Sequence, residues 1–485
     1  MLSLAFFYFV FLGTEYLFDN RMALCTDPAG VVLAQSYILG VSVLGFVAYS
    51  LIEKRKQKYE NPAAFQAGGF LALVLTLTGY RVLLGREEYG VLLGTGAFLF
   101  LVLGYLGSMA HYRAAVMLRG SRHPAKTVGA AYALGLLLQF LNHNLLWGER
   151  IEGVILAVGF VVLCGMNAGR MQPWEEKQPA ERPKEEMRTE AGTMIAWKNP
   201  KMAGVALLTV IVLMTCIFAT LDNAVTLAHA AGTMDIGQWP RLFLALSGLG
   251  AGVLFDLHSG RYRGLIMYAV TILSTICVLI IESGGPFLPG LLIFYLSAGF
   301  FVVFFTNGFF QLSYRMRDGK LWAGMGRAAN NLGAVITGVA SVSLLVGGNH
   351  VLTAILALVL FVLISVALLW YYHCTQIVIE KTDDGTATAA EENSRMLCDV
   401  PETEGDIGSR NRMQRFSECF DLTQREQEVL QILLLSDDGM QEIADSLFVS
   451  RAMLYRYVAT LNEKTGTKSR IGLIQFYYNW EENKK

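Results

Sequence analysis

Apolar stretches long enough to cross a membrane follow one another along most of the chain. An α-helix needs roughly 18 or more mostly apolar residues to span the hydrocarbon core. Twelve such runs are present, at residues 2–18, 30–52, 64–84, 90–110, 127–147, 151–168, 203–229, 238–257, 264–282, 287–311, 322–346 and 351–373. We expect each run to form a membrane-spanning helix. We expect the first to be retained, because it lacks a basic start and a small-residue cleavage site.

A polar segment divides the twelve runs into two sets of six. Residues 169–201 contain three prolines and mixed charges, which predicts a cytoplasmic linker between two membrane halves, 1–168 and 202–373. Glu15 and Asp222 occupy corresponding positions in the first run of each half, each four residues after a phenylalanine. This arrangement indicates an internal duplication, which typically places a binding cavity between the halves.

The composition and the distribution of charge agree with a membrane protein, and the sequence motifs argue against an enzyme. Hydrophobic residues make up 54% of the 485 residues and charged residues only 16%. Lys and Arg concentrate in alternate loops, including Arg327 in the loop after run 10, while Arg241 is among the few on the other side. This bias predicts a multi-pass protein of the cell (inner, cytoplasmic) membrane with both termini in the cytoplasm. Seven cysteines without a CxxC pair, and no phosphate loop or nucleophile elbow, predict no metal, no cofactor and no enzyme.

Polar side chains inside the runs are the candidates for a ligand cavity, because such groups are costly in lipid and usually face an interior. They are Glu15, Asn142, His143, Asn144, Asp222, Asn223, His229, Asn307, Asn330 and Asn331. One interpretation is a pocket for an unknown small molecule, cationic or polar, with Glu15 and Asp222 as counter-ions. The alternative is that Glu15 lies near the outer boundary and the asparagines hydrogen-bond neighbouring helices.

Two segments of the membrane region resemble the major facilitator superfamily. They are GVLFDLHSGRYRG, from Gly252 to Gly264, which is similar to that family's loop motif, and GRAANNLGAVITG in run 11. The corresponding first-half loop, SLIEKRKQKYE, lacks the Asp and Gly of the motif. The resemblance implies a transporter-like bundle in which the loop motif helps the two halves rock against each other.

The amino-acid composition of the chain changes after residue 373. Residues 374–414 are acidic and poor in apolar residues, which predicts a disordered tether. Helical periodicity returns over 415–480, beginning with a capping box from Thr423 to Glu426. A short helix at 440–447, a third helix capped by Ser450 and a last helix at about 468–478 then form a helix-turn-helix. The predicted fold class is therefore all-α: a polytopic twelve-helix bundle of two six-helix halves, with a small C-terminal four-helix domain.

This tail resembles LuxR-type DNA-binding domains in three blocks: LTQREQEVL from Leu422, QEIADSLFVS from Gln441 and GTKSR from Gly466. The resemblance implies a module that binds double-stranded DNA as a homodimer, with 450–464 as recognition helix. The candidate DNA contacts are Ser450, Arg451, Tyr455, Arg456, Lys464 and Lys468. Tyr455 stands where the family often has lysine. For Arg470 we expect a structural pairing with a carboxylate such as Glu426.

These patterns predict a membrane-tethered one-component transcriptional regulator, in which a transporter-like sensor controls the DNA-binding tail. Two alternatives remain open. The chain is a secondary transporter whose tail regulates its own expression, or the tail is a protein-interaction module without DNA binding. Lipid, DNA and an unknown small molecule are the expected partners.

Overall fold

The structure, a computed structural model, separates into two compact units, Met1–Thr382 and Asp383–Lys485. It describes residues 1–58, 62–145, 148–168, 194–197, 200–233, 239, 241–257, 262–282, 287–347, 350–375, 377–380, 413, 415–435, 440, 443–444, 447, 449, 451–467 and 469–480. Each unit has its own hydrophobic core.

The first unit contains a helix at each predicted apolar run. The helices are α1 (Leu2–Met22), α2 (Pro28–Lys58), α3 (Pro62–Gly85), α4 (Tyr89–Leu118), α5 (Pro124–Leu145), α6 (Glu149–Ala168), α7 (Pro200–Ala230), α8 (Arg241–Phe255), α9 (Arg263–Glu282), α10 (Phe287–Ser313), α11 (Gly319–Gly347) and α12 (His350–Cys374). Several begin at a proline, whose missing N–H and fixed φ suit the first helical position. Within the described ranges, ten are long and apolar enough to cross a membrane; α5 and α8 are not among these ten.

Helix packing repeats between α1–α6 and α7–α12. Within the first set, α1 contacts α5 and α6, and α2 contacts α4; in the second, α7 contacts α11 and α12, and α8 contacts α10. Between the sets, α2 packs on α11 and α5 packs on α8, which is the same contact after a shift of six helices. The repeated pattern supports two related halves that meet along these two pairs.

Glycines bring α5 and α8 into backbone contact. A Cβ atom at Gly129 would lie 2.3 Å from the carbonyl oxygen of Gly248, and one at Gly252 would lie 2.8 Å from that of Ala125. Distances this short exclude any side chain at either position without movement of the backbone. The backbones of the two halves therefore contact each other directly at this crossing, as is common where membrane helices pack through small residues.

Two short strands also belong to the first unit. β1 (Met194–Trp197) pairs antiparallel with β2 (Ile377–Glu380), with Met194 opposite Glu380 and Trp197 opposite Ile377. Both strands fall in segments for which we predicted unstructured linkers. The β-branched residues of IVIE favour an extended ladder once a partner segment is available. The rest of the fold within the described ranges is helical.

The second unit is a small helical domain around its own apolar core. Its helices include α13 (Gln424–Leu435), α14 (Arg451–Thr465) and α15 (Arg470–Asn479), and residues 415–419 are also helical. The core side chains are Phe416, Leu422, Val429, Leu430, Leu433, Ile443, Ala444, Leu447, Leu454, Val458, Leu461, Leu473 and Tyr477. Their spacing in α13 and α14 is that of one buried helix face. Most of the predicted tether lies outside the described residues.

Candidate functional site

A cavity of about 150 Å³ lies among helices of both halves of the membrane unit. The first half contributes side chains from α1, α2 and α5, and the second half contributes side chains from α7, α8, α10 and α11. The charged and amide side chains that line it are Glu15, Asp19, Gln35, Asp222, Arg241, Arg327, Asn330 and Asn331. Four of these, Glu15, Asp222, Asn330 and Asn331, are among the residues predicted from sequence to face a cavity.

Three carboxylates face the cavity from the first helix of each half. Glu15 accepts a hydrogen bond of 3.1 Å from Nε2 of Gln35 on α2. Asp19 lies one turn further along α1, and its Oδ1 is buried without a hydrogen-bond partner. Asp222 on α7 lies close enough to interact electrostatically with both Glu15 and Asp19. The corresponding helices of the two halves thus place their acidic groups in one space, as the matching sequence positions suggested.

Two arginines line the same cavity, and the sequence analysis had assigned both to loops. Arg241 is the first residue of α8, and Arg327 lies more than two turns inside α11, which begins at Gly319. The guanidinium carbon of Arg327 is 4.8 Å from the ring centre of Phe11, and that of Arg241 is 5.9 Å from the ring centre of Tyr16. Within the described part of the chain, neither guanidinium has a hydrogen-bond or ion-pair partner. The placement of Arg327 in a loop is therefore corrected.

Aromatic rings form much of the remaining wall. Phe218 on α7 and Phe301 on α10 stack with ring centres 4.7 Å apart and planes 8° apart, and Phe294 lies 6.2 Å from Phe218. Tyr132 on α5 and Tyr16 on α1 complete the wall from the first half. Such a lining suits an organic ligand with an apolar part and a few charged groups.

The other predicted cavity residues lie behind the wall or between helices. His143 Nε2 lies 3.0 Å from the hydroxyl of Tyr16, and Asn142 donates to the carbonyl of Glu152 at 3.4 Å. Asn223 donates to the hydroxyl of Ser341 at 2.5 Å, which joins α7 to α11. Asn144 donates to the carbonyl of Phe140, His229 contacts the side chain of Asn20, and Asn307 is buried. None of these residues lines the cavity described here.

Polar contacts between the halves cluster at the end of the bundle that contains the loops after α2, α4, α8 and α10. Asp256, within the Gly252–Gly264 motif, accepts from the backbone N–H groups of Ala125 and Lys126 at 3.2 and 2.8 Å. A carboxylate at this position interacts favourably with the N-terminus of α5. The first-half loop lacks this acid, and in the equivalent contact the acid lies instead at the start of α11, so the second half supplies the acid in both contacts.

That acid is Asp318, which precedes α11 and receives hydrogen bonds from Ser50 at 2.8 Å and from Lys54. It also accepts from the N–H of Leu321 at 3.2 Å, as a helix N-cap does. Burial would raise the pKa of Asp318, but these hydrogen bonds outweigh it and hold the pKa below its ordinary value. The contact therefore persists as an ion pair at neutral pH.

The tail presents one exposed polar face on α14. Arg451, Tyr455 and Arg456 are exposed, and the Arg451 guanidinium lies over the Tyr455 ring, 5.6 Å from its centre. Leu454 and Val458 on the opposite face are buried. Ser450 and Lys468, two further candidates for DNA contact, lie outside the described residues.

Lys464 makes contacts inside the domain. Its Nζ donates to Glu426 Oε2 at 2.8 Å and to the carbonyl of Asp421 at 2.7 Å. Glu426 also accepts from the backbone N–H of Thr423 at 2.8 Å, which confirms the capping box. Burial would raise the pKa of Glu426, but these hydrogen bonds outweigh it, and the pKa lies below its ordinary value. Lys464, where Arg470 was expected, thus pairs with Glu426.

Solved structures resemble the fold of the chain. The crystal structure of the human organic anion transporter MFSD10 (TETRAN) matches with a TM-score of 0.51 at 16% identity, over 76% of this chain and 98% of that one. The membrane unit has a major facilitator-like fold. Two crystal structures of FucP, the E. coli fucose:proton symporter and a Major Facilitator Superfamily transporter, each give 0.48 at 12% identity, over 76% of this chain and 97% of theirs. No protein-family model and no curated protein matches the chain.

Proposed function

We propose that the chain is a membrane-tethered transcriptional regulator, in which a small molecule bound in the charged cavity controls a DNA-binding tail. The cavity is the observation that supports this function most directly, because its walls come from both halves. A ligand that contacts both halves favours the arrangement of helices in which those contacts are best. The membrane unit can therefore convert binding into movement of the halves whether or not it releases the ligand on the other side.

The proposed topology has twelve spans and places both termini in the cytoplasm. Ten helices meet the length and hydropathy of a membrane span, and α5 and α8 bring the number to twelve. The Lys/Arg bias of alternate loops supports this parity, and moving Arg327 into α11 leaves that bias in place. Under this topology the tail lies in the same compartment as the genome.

DNA binding by the tail rests on the LuxR-like sequence blocks and on the exposed face of α14. Arg451 and Arg456 supply guanidiniums that can contact phosphates or the edges of guanines, and Tyr455 lies between them in the sequence. We include Ser450 and Lys468 in the same interface and propose that the tails pair as a homodimer on DNA. We propose that Lys464 mainly stabilises the domain and does not contact DNA, because its ammonium already donates hydrogen bonds to Glu426 and to the carbonyl of Asp421.

The signal passes from membrane to tail, in this proposal, by masking or by pairing. A long acidic tether transmits no torque, so ligand binding either releases the tail from cytoplasmic loops or changes the spacing between two tails. Inserting a longer Gly/Ser segment within 383–412 should preserve the response to ligand. If the response disappeared while DNA binding persisted, coupling through a flexible tether would be refuted.

The decisive experiment measures DNA binding by the full chain in lipid nanodiscs. Genomic fragments that the protein retains are sequenced, and the best fragment is titrated at several salt concentrations. We expect affinity to fall with salt, and Arg456→Ala to weaken binding and lower the salt slope by about one. Arg415→Ala removes an exposed arginine outside α14 and serves as the control. Failure to retain any fragment would refute DNA binding and favour a protein-interaction module.

A secondary transporter with a regulatory tail is the other function that the fold supports. The human protein with TM-score 0.51 is an organic anion transporter, and this chain has the same type of fold. Flux into proteoliposomes distinguishes the two functions: uptake that Asp222→Asn abolishes would favour a transporter, whereas binding without uptake would favour a sensor. Either result agrees with a protein that is not an enzyme.

A further inference from the structure

Arg327 is a buried charge with no hydrogen-bond or ion-pair partner among the described residues, and Glu15 and Asp222 interact with it electrostatically without direct contact. Its relative exposure is 7%, and its Nε has no hydrogen-bond partner in the described structure. Phe11 covers one face of the guanidinium and provides a cation–π contact, so the N–H donors at its edge have no protein acceptor among the described residues. Isolated charges away from water are unfavourable unless a partner neutralises them. The planar fork of donors matches a carboxylate, which accepts two parallel hydrogen bonds.

Asp222 is an acidic side chain on α7, in the same half of the membrane unit as Arg327 on α11. It lines the cavity from α7, and within the described residues none of its oxygens accepts a hydrogen bond or joins an ion pair. Glu15, by contrast, already accepts from Gln35. Asp19 also has an oxygen without a partner among the described residues, but only Asp222 of these two lies close enough to Arg327 to interact with it electrostatically. Asp222 is therefore the carboxylate placed to bind the ammonium of a small ligand whose carboxylate is on Arg327.

The balance of charges in the cavity separates the possible ligand classes. Three acidic and two basic side chains line it, so the formal charge is −1 when all are ionised. A simple anion would pair Arg327 but add to this excess, and a simple cation would relieve the excess but leave Arg327 unpaired. A molecule with one carboxylate and one ammonium pairs both groups and leaves the balance unchanged.

The size and walls of the cavity agree with a small zwitterion. At about 30 Å³ per water, 150 Å³ holds roughly five water molecules, which corresponds to an organic molecule of about six to eight non-hydrogen atoms. The stacked rings of Phe218 and Phe301, with Phe294 beside them, offer an apolar surface for the uncharged part.

We infer that the cavity binds a small zwitterion of the α-amino acid class, with its carboxylate on Arg327 and its ammonium on Asp222. This inference rests on the proposed function only in that the cavity binds a ligand. The apolar side chain of the amino acid would lie against the phenylalanine wall.

The test compares three small probes of matched shape on the full chain in nanodiscs, using calorimetry: L-valine, 2-methylpropan-1-amine, which lacks the carboxylate, and 3-methylbutanoate, which lacks the amine. We expect the amino acid to bind at least about thirtyfold more tightly than either analogue. Arg327→Gln should reduce the affinity for the amino acid to that for the amine, and Asp222→Asn should reduce it to that for the acid. Arg81→Gln, an exposed arginine on α3, is the control that should change neither.

Arg327→Lys keeps the charge but removes the fork, and it serves if Arg327→Gln does not fold by size-exclusion chromatography. We expect it to lose most of the discrimination between amino acid and amine. An amine or an acid that binds as tightly as the amino acid would overturn the inference, as would the absence of binding by all three probes. DNA binding by the same preparation is measured separately. A failure to bind the amino acid therefore leaves the proposed regulation intact, and a failure to bind DNA leaves the proposed ligand intact.

Discussion

Replacing Lys464 with methionine removes the partner of a nearly buried carboxylate and tests whether this lysine supports the domain or contacts DNA. Glu426 is 7% exposed and would keep its contacts with Thr423, whose N–H lies at 2.8 Å, after the Nζ of Lys464 at the same distance is lost. An orphaned charged acceptor costs about 1–3 kcal/mol, and a fully buried pair costs about 3–5 kcal/mol. Because Lys464 is 28% exposed, we expect Lys464→Met to lower the free energy of unfolding by about 2 kcal/mol.

Urea denaturation of residues 383–485, followed by circular dichroism, measures this loss. For a domain of this size, 2 kcal/mol corresponds to a fall of about 10 °C in the melting temperature. The double variant Glu426→Gln/Lys464→Met should recover part of the loss, because it removes the orphaned charge as well. Unchanged unfolding together with weaker DNA binding would refute the reasoning and make Lys464 a DNA contact.

The pH dependence of this pair has a defined sign. The pKa of Glu426 is lower in the folded domain than the ordinary value of 4.5. The stabilisation is therefore complete above about pH 4.5 and is lost as the pH falls through the lower, folded pKa. In Glu426→Gln this part of the acid sensitivity should disappear from the denaturation curves.

Three further perturbations test the remaining structure. Asp318→Asn removes the ion pair with Lys54 and should increase the distance between spin labels at the end of α2 and the start of α11. In the wild-type protein the same increase should occur only as the pH falls through the lowered pKa of Asp318. Gly129→Val should cost about 1–3 kcal/mol of stability, because its Cβ would lie 2.3 Å from a carbonyl oxygen of α8, whereas Gly94→Val, with open space around it, should be tolerated in thermal unfolding. Leu454→Ala should destabilise the tail by about 3 kcal/mol in urea, while the exposed Met453→Ala should change it little.

The helices of the membrane unit could be predicted from sequence because hydropathy alone determines which segments enter the bilayer. Run 1 was predicted as 2–18 and extends to Met22, so that Asp19 and Arg21, which the prediction left outside, are part of α1. Charged side chains inside a helix end are hard to place from hydropathy. Asp19 became visible as a cavity residue only once α1 was seen to pass beside α7.

The arginines of the cavity escaped prediction for a related reason. An analysis of topology assigns basic residues near the end of an apolar run to the adjoining loop, and Arg327 was assigned in this way. Asp318 caps α11, which begins at Gly319, three residues before the predicted run and eight residues before Arg327, so Arg327 lies inside the bundle. The side-chain oxygen of Asp318 was the available signal, since such residues commonly precede helices. The pairing of Lys464 with Glu426 depends on tertiary packing between α13 and α14, and spacing along the chain does not specify it.

The pair of strands means that the chain enters and leaves the second half at one place. β1 ends shortly before α7 begins, and β2 starts shortly after α12 ends. The segment that contains helices α7–α12 is consequently closed at its two ends by backbone hydrogen bonds between β1 and β2, so that a displacement of the start of α7 is opposed by the end of α12.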